Sequence, residues 1–158
     1  MANRWAHKEF TFISDRHWEK IPNQSDDGRL QLFCPETGTS LALSMEAMDI
    51  PKNKIESVAK SLMEARKFAH VRGIQDMMQS NEVPDLQFVE EHIGPNAGGN
   101  GYEVVYEGSL PGKNFFGFLG FVSQRKIVNL IVVTPFSYAK GHAGMFREVA
   151  GGFSVVLP

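Results

Sequence analysis

The chain has 158 residues, of which 42% are hydrophobic and 22% are charged, and its formal net charge at neutral pH is -2. These values are ordinary for a globular protein, and the length suits one domain, residues 1–158, with its own core. The slightly acidic balance and the lack of a basic run argue against a nucleic-acid partner. No stretch reaches the roughly 18 consecutive apolar residues of a membrane-spanning helix, so stable membrane insertion is not expected.

Cysteine and histidine usage argues against disulfide and metal chemistry. Cys34 is the single cysteine, which leaves no intrachain disulfide, and we expect it to pack as a small buried hydrophobe. No two of the five histidines have the i, i+4 spacing of a helical zinc site, and no cofactor is predicted. The first ten residues, MANRWAHKEF, contain no apolar signal core, so the predicted location is the cytoplasm.

The first half of the chain has the pattern of several strands followed by one long helix. Alternating side chains predict a strand at Trp5–Ile13 and a hairpin formed by Leu30–Pro35 and Thr39–Met48. The helix is predicted to span Pro51–Met78, since proline suits the first position of a helix. An apolar stripe along this helix should pack on a sheet. The stripe comprises Ile55, Val58, Ala59, Leu62, Ala65 or Arg66, and Ala69.

The second half of the chain is predicted to supply the centre of the sheet. Strands are expected at Leu86–Ile93 and Tyr102–Ser109, separated by the glycine-rich loop Gly94–Gly101. Asn114–Phe136 holds two apolar runs around the polar turn SQRK, which predicts a β-hairpin, and a shorter helix follows at Tyr138–Gly152. This order predicts an α+β fold, in which a mainly antiparallel, twisted sheet of about six strands packs with one long and one shorter helix.

The hairpin is apolar at almost every position, so both of its faces should be covered. Two registers are inferred, in which Ser123 faces Lys126 and Ser109 faces Asn114. Cross-strand neighbours share a face of the sheet, which sorts the side chains into two sets. The face on which the long helix should lie collects Tyr102, Val104, Tyr106, Phe115, Gly117, Leu119, Phe121, Val128, Leu130, Val132 and Thr134, with Leu86 and Phe88.

The opposite face of the predicted sheet has an apolar centre bordered by acids and amides. We interpret it as a partner-binding surface, because burial of each large apolar side chain would stabilise a complex by roughly 1.5–3 kcal/mol. The alternative is that the terminal helix or the amino-terminal segment covers this face, since large exposed apolar patches are rare in monomers. The candidate partner-binding residues are Val89, Glu103, Val105, Glu107, Phe116, Phe118, Gly120, Asn129 and Ile131.

No motif in the sequence indicates catalysis. Gly108–Asn114 resembles a phosphate loop, but it has one residue too few between its glycines and leads into a strand instead of a helix. Glu103 and Glu107 are interpreted as solvated border charges, since no apolar pocket is predicted to shift the pKa of either. No serine or cysteine has a nucleophile-elbow context. The protein is therefore predicted not to be an enzyme, with no catalytic, cofactor-binding or metal-binding residue.

Five segments carry a resemblance to a known superfamily in the order and patterning of their elements. They are Phe10–Phe12, Trp18–Pro22, Gly101–Tyr106, Ile131–Thr134 and Phe146–Val156. Together they resemble the PsbP-like superfamily, and within it the DcrB-like bacterial proteins of unknown function. The resemblance covers nearly the whole chain, although the glycine-rich loop and the length of the helix depart from the family pattern. It implies a PsbP-like α/β sandwich without catalytic activity.

The resemblance also implies a kind of partner. One DcrB-like branch, the Eag-type chaperones of type VI secretion, holds apolar transmembrane segments of effector proteins on a sheet surface, as dimers. The first hypothesis is therefore a non-catalytic chaperone or adaptor for a protein partner with an apolar segment. Two alternatives remain open. One is a small-molecule-binding domain or unrecognised enzyme with a pocket between sheet and helix, and the other is a structural homodimer.

Overall fold

A computed structural model describes residues 3–7, 10–21, 30–79, 82, 87–95, 101–110, 114–135, 146, 149–150 and 152–155. The elements are β1 (Asn3–His7), β2 (Phe10–Ser14), β3 (Glu19–Lys20), β4 (Leu30–Cys34), β5 (Thr39–Ala47), a 3-10 turn (Lys52–Lys54), α1 (Ile55–Met78), β6 (Gln87–Pro95), β7 (Tyr102–Leu110), β8 (Asn114–Val122), β9 (Lys126–Pro135) and β10 (Phe153–Val155). The strands form a seven-stranded sheet in the order β3-β4-β5-β9-β8-β7-β6 and a three-stranded sheet in the order β1-β2-β10.

The predicted α+β class with a mainly antiparallel sheet is confirmed, and the strand pairs are antiparallel throughout the described residues. The single strand predicted at Trp5–Ile13 is wrong. It is two strands, β1 and β2, which pair with each other in the smaller sheet. Of the predicted terminal helix Tyr138–Gly152, the structure describes Phe146, Val149 and Ala150 as helical, and the rest of that helix lies outside the described residues apart from Gly152 in a turn.

The connection that leads from β5 into α1 fixes where the helix starts. The main-chain N–H of Met48 donates to the Arg125 carbonyl at 2.9 Å. Two residues later, the N–H of Ile50 donates to the Gln124 carbonyl at 2.8 Å. These bonds tie the connection to the tip of the β8–β9 hairpin. The helix therefore begins directly over the larger sheet, where Ile50 and Ile55 are buried.

The side of α1 that faces the sheet changes character along its length. Its first turns bury Ile55 and Ala59, as predicted, together with Met63, which was not part of the predicted stripe. Farther along, Arg66 and His70 are half-buried, whereas Ala65 and Ala69 are exposed. Of the alternatives Ala65 and Arg66, the stripe therefore contains Arg66, and the prediction is wrong for Ala69. Positions three and four residues beyond Met63 carry long polar side chains, whose apolar stems can lie against the sheet.

One predicted register is confirmed and the other is wrong by one residue. Between β8 and β9, the N–H of Ser123 donates to the Lys126 carbonyl at 3.0 Å, as predicted. Between β7 and β8, Ser109 faces Phe115, because β7 continues through Leu110, one residue beyond its predicted end. Since side chains alternate along a strand, a slip of one residue moves all of them to the opposite face. Relative to β8 and β9, every side chain of β7 therefore lies on the face opposite to the predicted one. Val104 and Tyr106 keep their predicted place under the helix, and the β8 side chains beside them are those of the other predicted set, such as Phe118.

The face of β8 that carries Phe116 and Phe118 was predicted to be open, but it lies under α1. This corrects the interpretation made from the sequence. The true register places Tyr106 beside Phe118, and their rings stack with centroids 5.2 Å apart and planes inclined by 25°. A Cβ at Gly120 would lie 3.1 Å from Leu62 Cδ2, so α1 packs closely against the sheet at this glycine. The buried core on this side comprises Ile50, Ile55, Ala59, Met63, Val104, Tyr106, Phe116, Phe118, Val122 and Ile127.

The opposite face is covered by the smaller sheet, Trp18 and the carboxy-terminal helical residues. The rings of Phe12 and Trp18 meet edge to face at 5.5 Å, and the Trp18 indole N–H donates to Ser14 Oγ at 3.0 Å. A side chain at Gly117 would collide with the ring of Phe146. The amino-terminal segment and the described residues of the terminal helix thus cover the face that carries Leu119 and Phe121. The alternative made from the sequence had placed them over the face that carries Phe116 and Phe118. This core comprises Phe12, Trp18, Leu30, Leu32, Cys34, Leu41, Leu43, Leu119, Phe121, Val128, Leu130, Val132, Phe146 and Val149.

The helix leaves part of its own sheet face uncovered by described residues. It packs over β6, β7 and β8, while β4, β5 and β9 extend beyond it on one side. Most side chains of these three strands that point to the helix side are half-exposed, although Asn129 and Ile127 are buried and Glu46 is exposed. We call this surface the lateral strip, and its members are Gln31, Phe33, Ser40, Ala42, Ser44, Ile131 and Val133.

Two expectations about special sites can be compared with the described part of the chain. No helix there is long and apolar enough to cross a membrane. Nor do the described residues group three or more histidine, cysteine or acidic side chains in a way that could hold a metal ion. Cys34 is free and buried in the core opposite α1, as predicted.

The position of α1 can be tested with two phenylalanines. Phe118 has 0% exposure beneath the helix, whereas Phe68 on the outer side of α1 has 66% exposure. We expect Phe118→Ala to lower the free energy of unfolding by about 3–5 kcal/mol, because it removes buried apolar surface and leaves a cavity. Phe68→Ala should change it by less than about 0.5 kcal/mol. Urea denaturation followed by circular dichroism measures both, and equally small effects would contradict this placement.

Candidate functional site

A cleft lies between α1 and the strands that the helix does not cover. Its volume is about 560 Å³, which is within the range of sites that hold small molecules. One wall comes from the helix, and the floor comes from the middle of the larger sheet. We call it the lateral cleft, and its lining residues are Gln31, Ala42, Leu43, Ser44, Met45, Glu46, Arg66, Asn129 and Ile131.

Strand alternation explains why polar groups collect on the floor of the lateral cleft. Ala42, Ser44 and Glu46 are spaced by two residues on β5, so their side chains point to one side of the sheet. The register places Ser44 opposite Asn129 of β9. It also places Ala42 opposite Ile131 on β9. Two adjacent strands thus present an amide, a hydroxyl and a carboxylate within one patch.

Asn129 is a buried amide with one unused hydrogen-bonding atom. The side chain is only 3% exposed, and its Nδ2 donates to Ser44 Oγ at 3.5 Å. Its Oδ1 is buried and has no hydrogen-bond partner within the described residues. An unsatisfied buried polar atom costs about 1–3 kcal/mol, because it gives up its bonds to water without replacement. The protein therefore carries an acceptor in the floor of the cleft that its own described residues leave free.

Arg66 contributes the opposite kind of group from the helix wall. Its side chain is half-buried, and Nε is a buried donor with no partner within the described residues. The described part of the chain also offers this guanidinium no ion pair. Arginine stays protonated in proteins and presents its donors in a fixed planar arrangement. The lateral cleft thus has a permanent positive charge on one wall and a free acceptor in its floor.

The same arginine affects the titration of two groups deeper under the helix. A 2.7 Å hydrogen bond joins the Tyr106 hydroxyl and His70 Nδ1. Burial, with the charge of Arg66 as a second cause, lowers the pKa of His70 from 6.5 to about 4. Burial also raises the pKa of Tyr106 above its ordinary value, and Arg66 partly offsets that rise. Both groups are therefore neutral at physiological pH, and neither neutralises the guanidinium.

Aromatic and charged contacts hold the second half of α1 in place over the sheet. The His70 ring packs against Phe116 at 4.6 Å between centroids. Lys67 pairs with Glu91 of β6, and its ammonium also lies 4.7 Å from the centre of the Phe88 ring. Lys67 and His70 both follow Arg66 on the helix, and the buried Met63 precedes it. They keep the backbone of Arg66 fixed beside the cleft, so the guanidinium needs little reorganisation to meet a ligand.

The structure does not bring all the predicted partner-binding residues together. Phe116, Phe118 and Gly120 are buried under α1. Asn129 and Ile131 lie at the lateral cleft, which makes them the two predicted residues that border an open space in the described structure. The prediction of one continuous open surface is therefore wrong for this set.

The remaining predicted residues come from β6 and β7. Glu103, Val105 and Glu107 lie on the opposite face of the sheet, with Glu103 facing Phe121 in the register. The one-residue slip of β7 is the physical reason for this separation. The backbone of Val89 is at an irregularity in β6 where the register with β7 shifts, and its side chain lies outside the described residues.

The sequence reading missed the helix wall of the cleft and most of its floor. Arg66 appeared only as an alternative to Ala65 in an apolar stripe, although a cation on such a stripe is itself a signal. Ser44 and Glu46 have no local signal, because half-exposed polar residues are usual on a strand. Asn129 was a candidate because the inferred register between β8 and β9, which the structure confirms, placed it on the same face as Phe116 and Phe118.

The fold is similar to a known structure, whereas the sequence matches no known family. No protein-family model and no curated protein matches this chain. The solution structure of cyanobacterial PsbP (CyanoP) from Synechocystis sp. PCC 6803 aligns with a TM-score of 0.66 and 13% identity, over 98% of this chain and 92% of that chain. The protein therefore has a PsbP-like fold, which at this identity is a statement about architecture alone.

A second solved structure, from Bacteroides thetaiotaomicron VPI-5482, is less similar. It aligns with a TM-score of 0.42 and 9% identity, over 93% of this chain and 45% of that chain. A similarity at this level supports no argument about fold or function.

The buried histidine predicts a pH dependence of stability. Between pH 6.5 and about 4 the unfolded chain binds a proton on His70 that the folded chain does not. The free energy of unfolding should therefore fall as the pH falls through this window, by up to about 3 kcal/mol. His70→Gln should remove this part of the dependence, whereas His92→Gln, at an exposed position of β6, should keep it. Urea denaturation at pH 7, 6, 5 and 4 measures the three profiles, and parallel profiles would contradict the assignment.

Proposed function

We propose that this protein is a non-catalytic binding protein that holds a small polar molecule in the lateral cleft. The observation that carries the proposal is the pair of unused polar atoms at the cleft, Asn129 Oδ1 and Arg66 Nε. Buried polar groups in folded proteins almost always have partners, so two without one in a single cleft call for an explanation. A ligand that offers an acceptor to the arginine and a donor to the amide supplies both partners.

The way the site is built supports this proposal. Asn129 is on β9 in the middle of the larger sheet, between β5 and β8, so its position is fixed by strand pairing on both sides. Arg66 is on a long helix that is anchored on either side of it along the chain. Sites on rigid elements bind with little ordering cost, which favours a ligand with few contacts. A mixed polar and apolar lining is typical of small-molecule sites.

A second candidate function is a chaperone or adaptor for a protein partner with an apolar segment, as in the Eag-type branch of the DcrB-like proteins. The observation that favours it is the half-exposed apolar part of the lateral strip, which contains Phe33, Ile131 and Val133. An extended or helical segment lying beside α1 would cover these side chains. A cytoplasmic location belongs to this proposal, because a secretion chaperone meets its client before export. Self-association through the same strip would be the homodimer alternative.

One substitution separates the two candidates. Phe33 is half-exposed on β4 and does not line the lateral cleft. Phe33→Glu would place a charge in the path of an apolar segment, because desolvating that charge is costly. It should abolish capture of a partner or a dimer and leave a small ligand bound. Loss of the small ligand in this variant would count against the cleft as the site.

The unused acceptor predicts an unusual stability change. Asn129→Val should raise the free energy of unfolding by about 1 kcal/mol, because valine suits a central strand and removes an unsatisfied buried atom. The matched control is Thr134→Val, at a residue that is 2% exposed and whose hydroxyl bonds Thr39 Oγ1 at 3.0 Å. That variant should lose about 1 kcal/mol. Thermal and urea unfolding measure both, and a clear loss in the Asn129 variant would show that its amide serves stability.

The proposed function predicts a bound molecule that depends on Arg66. The protein purified under mild conditions from its native cell should show an adduct in native mass spectrometry. Arg66→Met keeps an apolar stem and removes the charge, so we expect at least a tenfold loss of the adduct, as for a lost charge-assisted hydrogen bond. Arg72→Met, at an exposed position of the same helix, should keep it.

Three outcomes contradict the proposed function. An adduct that survives Arg66→Met lies elsewhere on the protein. A molecule released in chemically altered form indicates catalysis. If native mass spectrometry shows no adduct and the denatured extract contains no small molecule, the lateral cleft has no natural ligand.

A further inference from the structure

We infer that the ligand of the lateral cleft is a small zwitterion, a molecule that carries both a carboxylate and a protonated amine, of the amino-acid and short-peptide class. This inference rests on the proposed function and names the chemistry of its ligand. It is drawn from three polar groups that line one cleft and differ in charge and hydrogen-bonding role, Arg66, Asn129 and Glu46.

The positive wall requires an anionic acceptor. Arg66 Nε is buried and unpaired, and the described residues bring no carboxylate within ion-pairing distance of this guanidinium. A planar guanidinium matches a carboxylate in shape, with two parallel N–H groups facing two oxygens. Such a pair is stronger in a partly desolvated cleft than at an exposed surface. The ligand therefore carries a carboxylate or a closely similar oxyanion.

The floor requires a hydrogen-bond donor on the same ligand. Asn129 Nδ2 is already directed at Ser44 Oγ, which leaves Oδ1 as the atom of this amide without a partner. Oδ1 is an acceptor, so a bare anion would face it with repulsion between lone pairs. An N–H group on the ligand satisfies it. A simple carboxylate, which has no donor, would use the arginine and leave the cost of the buried amide uncompensated.

The third group, Glu46, favours a positive charge on the hydrogen-bond donor of the ligand. Glu46 follows Ser44 by two residues on β5, on the same side of the strand and about 6–7 Å along it. Its carboxylate is exposed at the cleft and makes no ion pair within the described residues. A protonated amine is attracted by this carboxylate and by Asn129 Oδ1 together. One positive and one negative protein charge thus face one negative and one positive ligand charge, which disfavours simple anions and simple cations.

The class has two natural sources, a free amino acid and a short peptide. The cleft volume of about 560 Å³ leaves room for either, since ligand sites of this size hold molecules well beyond a single amino acid. Both sources share the carboxylate and the protonated amine. The test therefore uses both and removes the two charges one at a time.

The experiment is a nuclear magnetic resonance titration of the full chain with two zwitterionic probes, an equimolar set of the twenty amino acids and the dipeptide dialanine. The readouts are the side-chain cross-peaks of Arg66 Nε–Hε and Asn129 Nδ2, which report the two proposed contacts directly. The matched probes are N-acetyl-dialanine, which lacks the positive charge, dialanine amide, which lacks the negative charge, and inorganic phosphate. We expect at least one zwitterionic probe to saturate both cross-peaks, and each matched probe to bind at least tenfold more weakly.

Variants assign each charge of the ligand to its partner. Arg66→Met should weaken zwitterion binding at least tenfold and erase the preference for the free carboxylate. Glu46→Gln should reduce the preference for dialanine over N-acetyl-dialanine and leave the preference over the amide unchanged. Asn129→Val should weaken binding while the protein stays folded. Arg72→Met is the control and should bind as the unaltered protein does.

The results that overturn the inference differ from those that overturn the proposed function. Equal binding of phosphate or N-acetyl-dialanine, or zwitterion binding unaffected by Arg66→Met, shows that the ligand class is wrong. If no zwitterion binds but the protein carries a native adduct that Arg66→Met removes, the cleft is a site for another class of molecule. If no zwitterion binds and no such adduct exists, both the inference and the proposed function fail.

Discussion

The pairing of β7 with β8 is the constraint on which the rest of the structure depends. It sets Tyr106 beside Phe118 and joins the apolar side chains of both strands into one surface on which α1 lies. A seven-stranded sheet is roughly 29 Å wide, whereas a helix is about 10–12 Å across. One helix docked over β6, β7 and β8 therefore leaves β9, β5 and β4 beside it. The lateral cleft is a geometric consequence of that mismatch.

Polar groups under the second half of α1 give the cleft its chemical character. The first turns of the helix contribute apolar burial and hold it to the sheet. Beyond Met63 the same side carries Arg66 and His70, and His70 is kept neutral beside Tyr106. Arg66 is thus left without a compensating charge in the described structure. A protein retains such an arrangement at a cost in stability, and sites where stability is given up are typically those that bind.

The two faces of the larger sheet have different roles in this architecture. The face away from α1 is closed by the smaller sheet, Trp18 and the carboxy-terminal helical residues, so it serves the core. The face under α1 is closed over three strands and half-exposed over the others within the described residues. A PsbP-like fold of this kind supplies a rigid scaffold, and any binding specificity comes from the side chains at the uncovered strands. Both the proposed ligand and the alternative protein segment would use that same side.

The sequence by itself determined the fold class, the long helix, the turn at Ser123–Lys126 and the polar interruption at Asn129, because each depends on local periodicity or turn chemistry. Only the tertiary structure decided which face the helix covers. That choice depends on whether β7 ends at Ser109 or Leu110, and with a side-chain period of two a single residue reverses the result. The tertiary structure also decided that Arg66 and Asn129 line the same cleft. Residues so distant in the chain meet through strand pairing and helix docking, which no local pattern encodes.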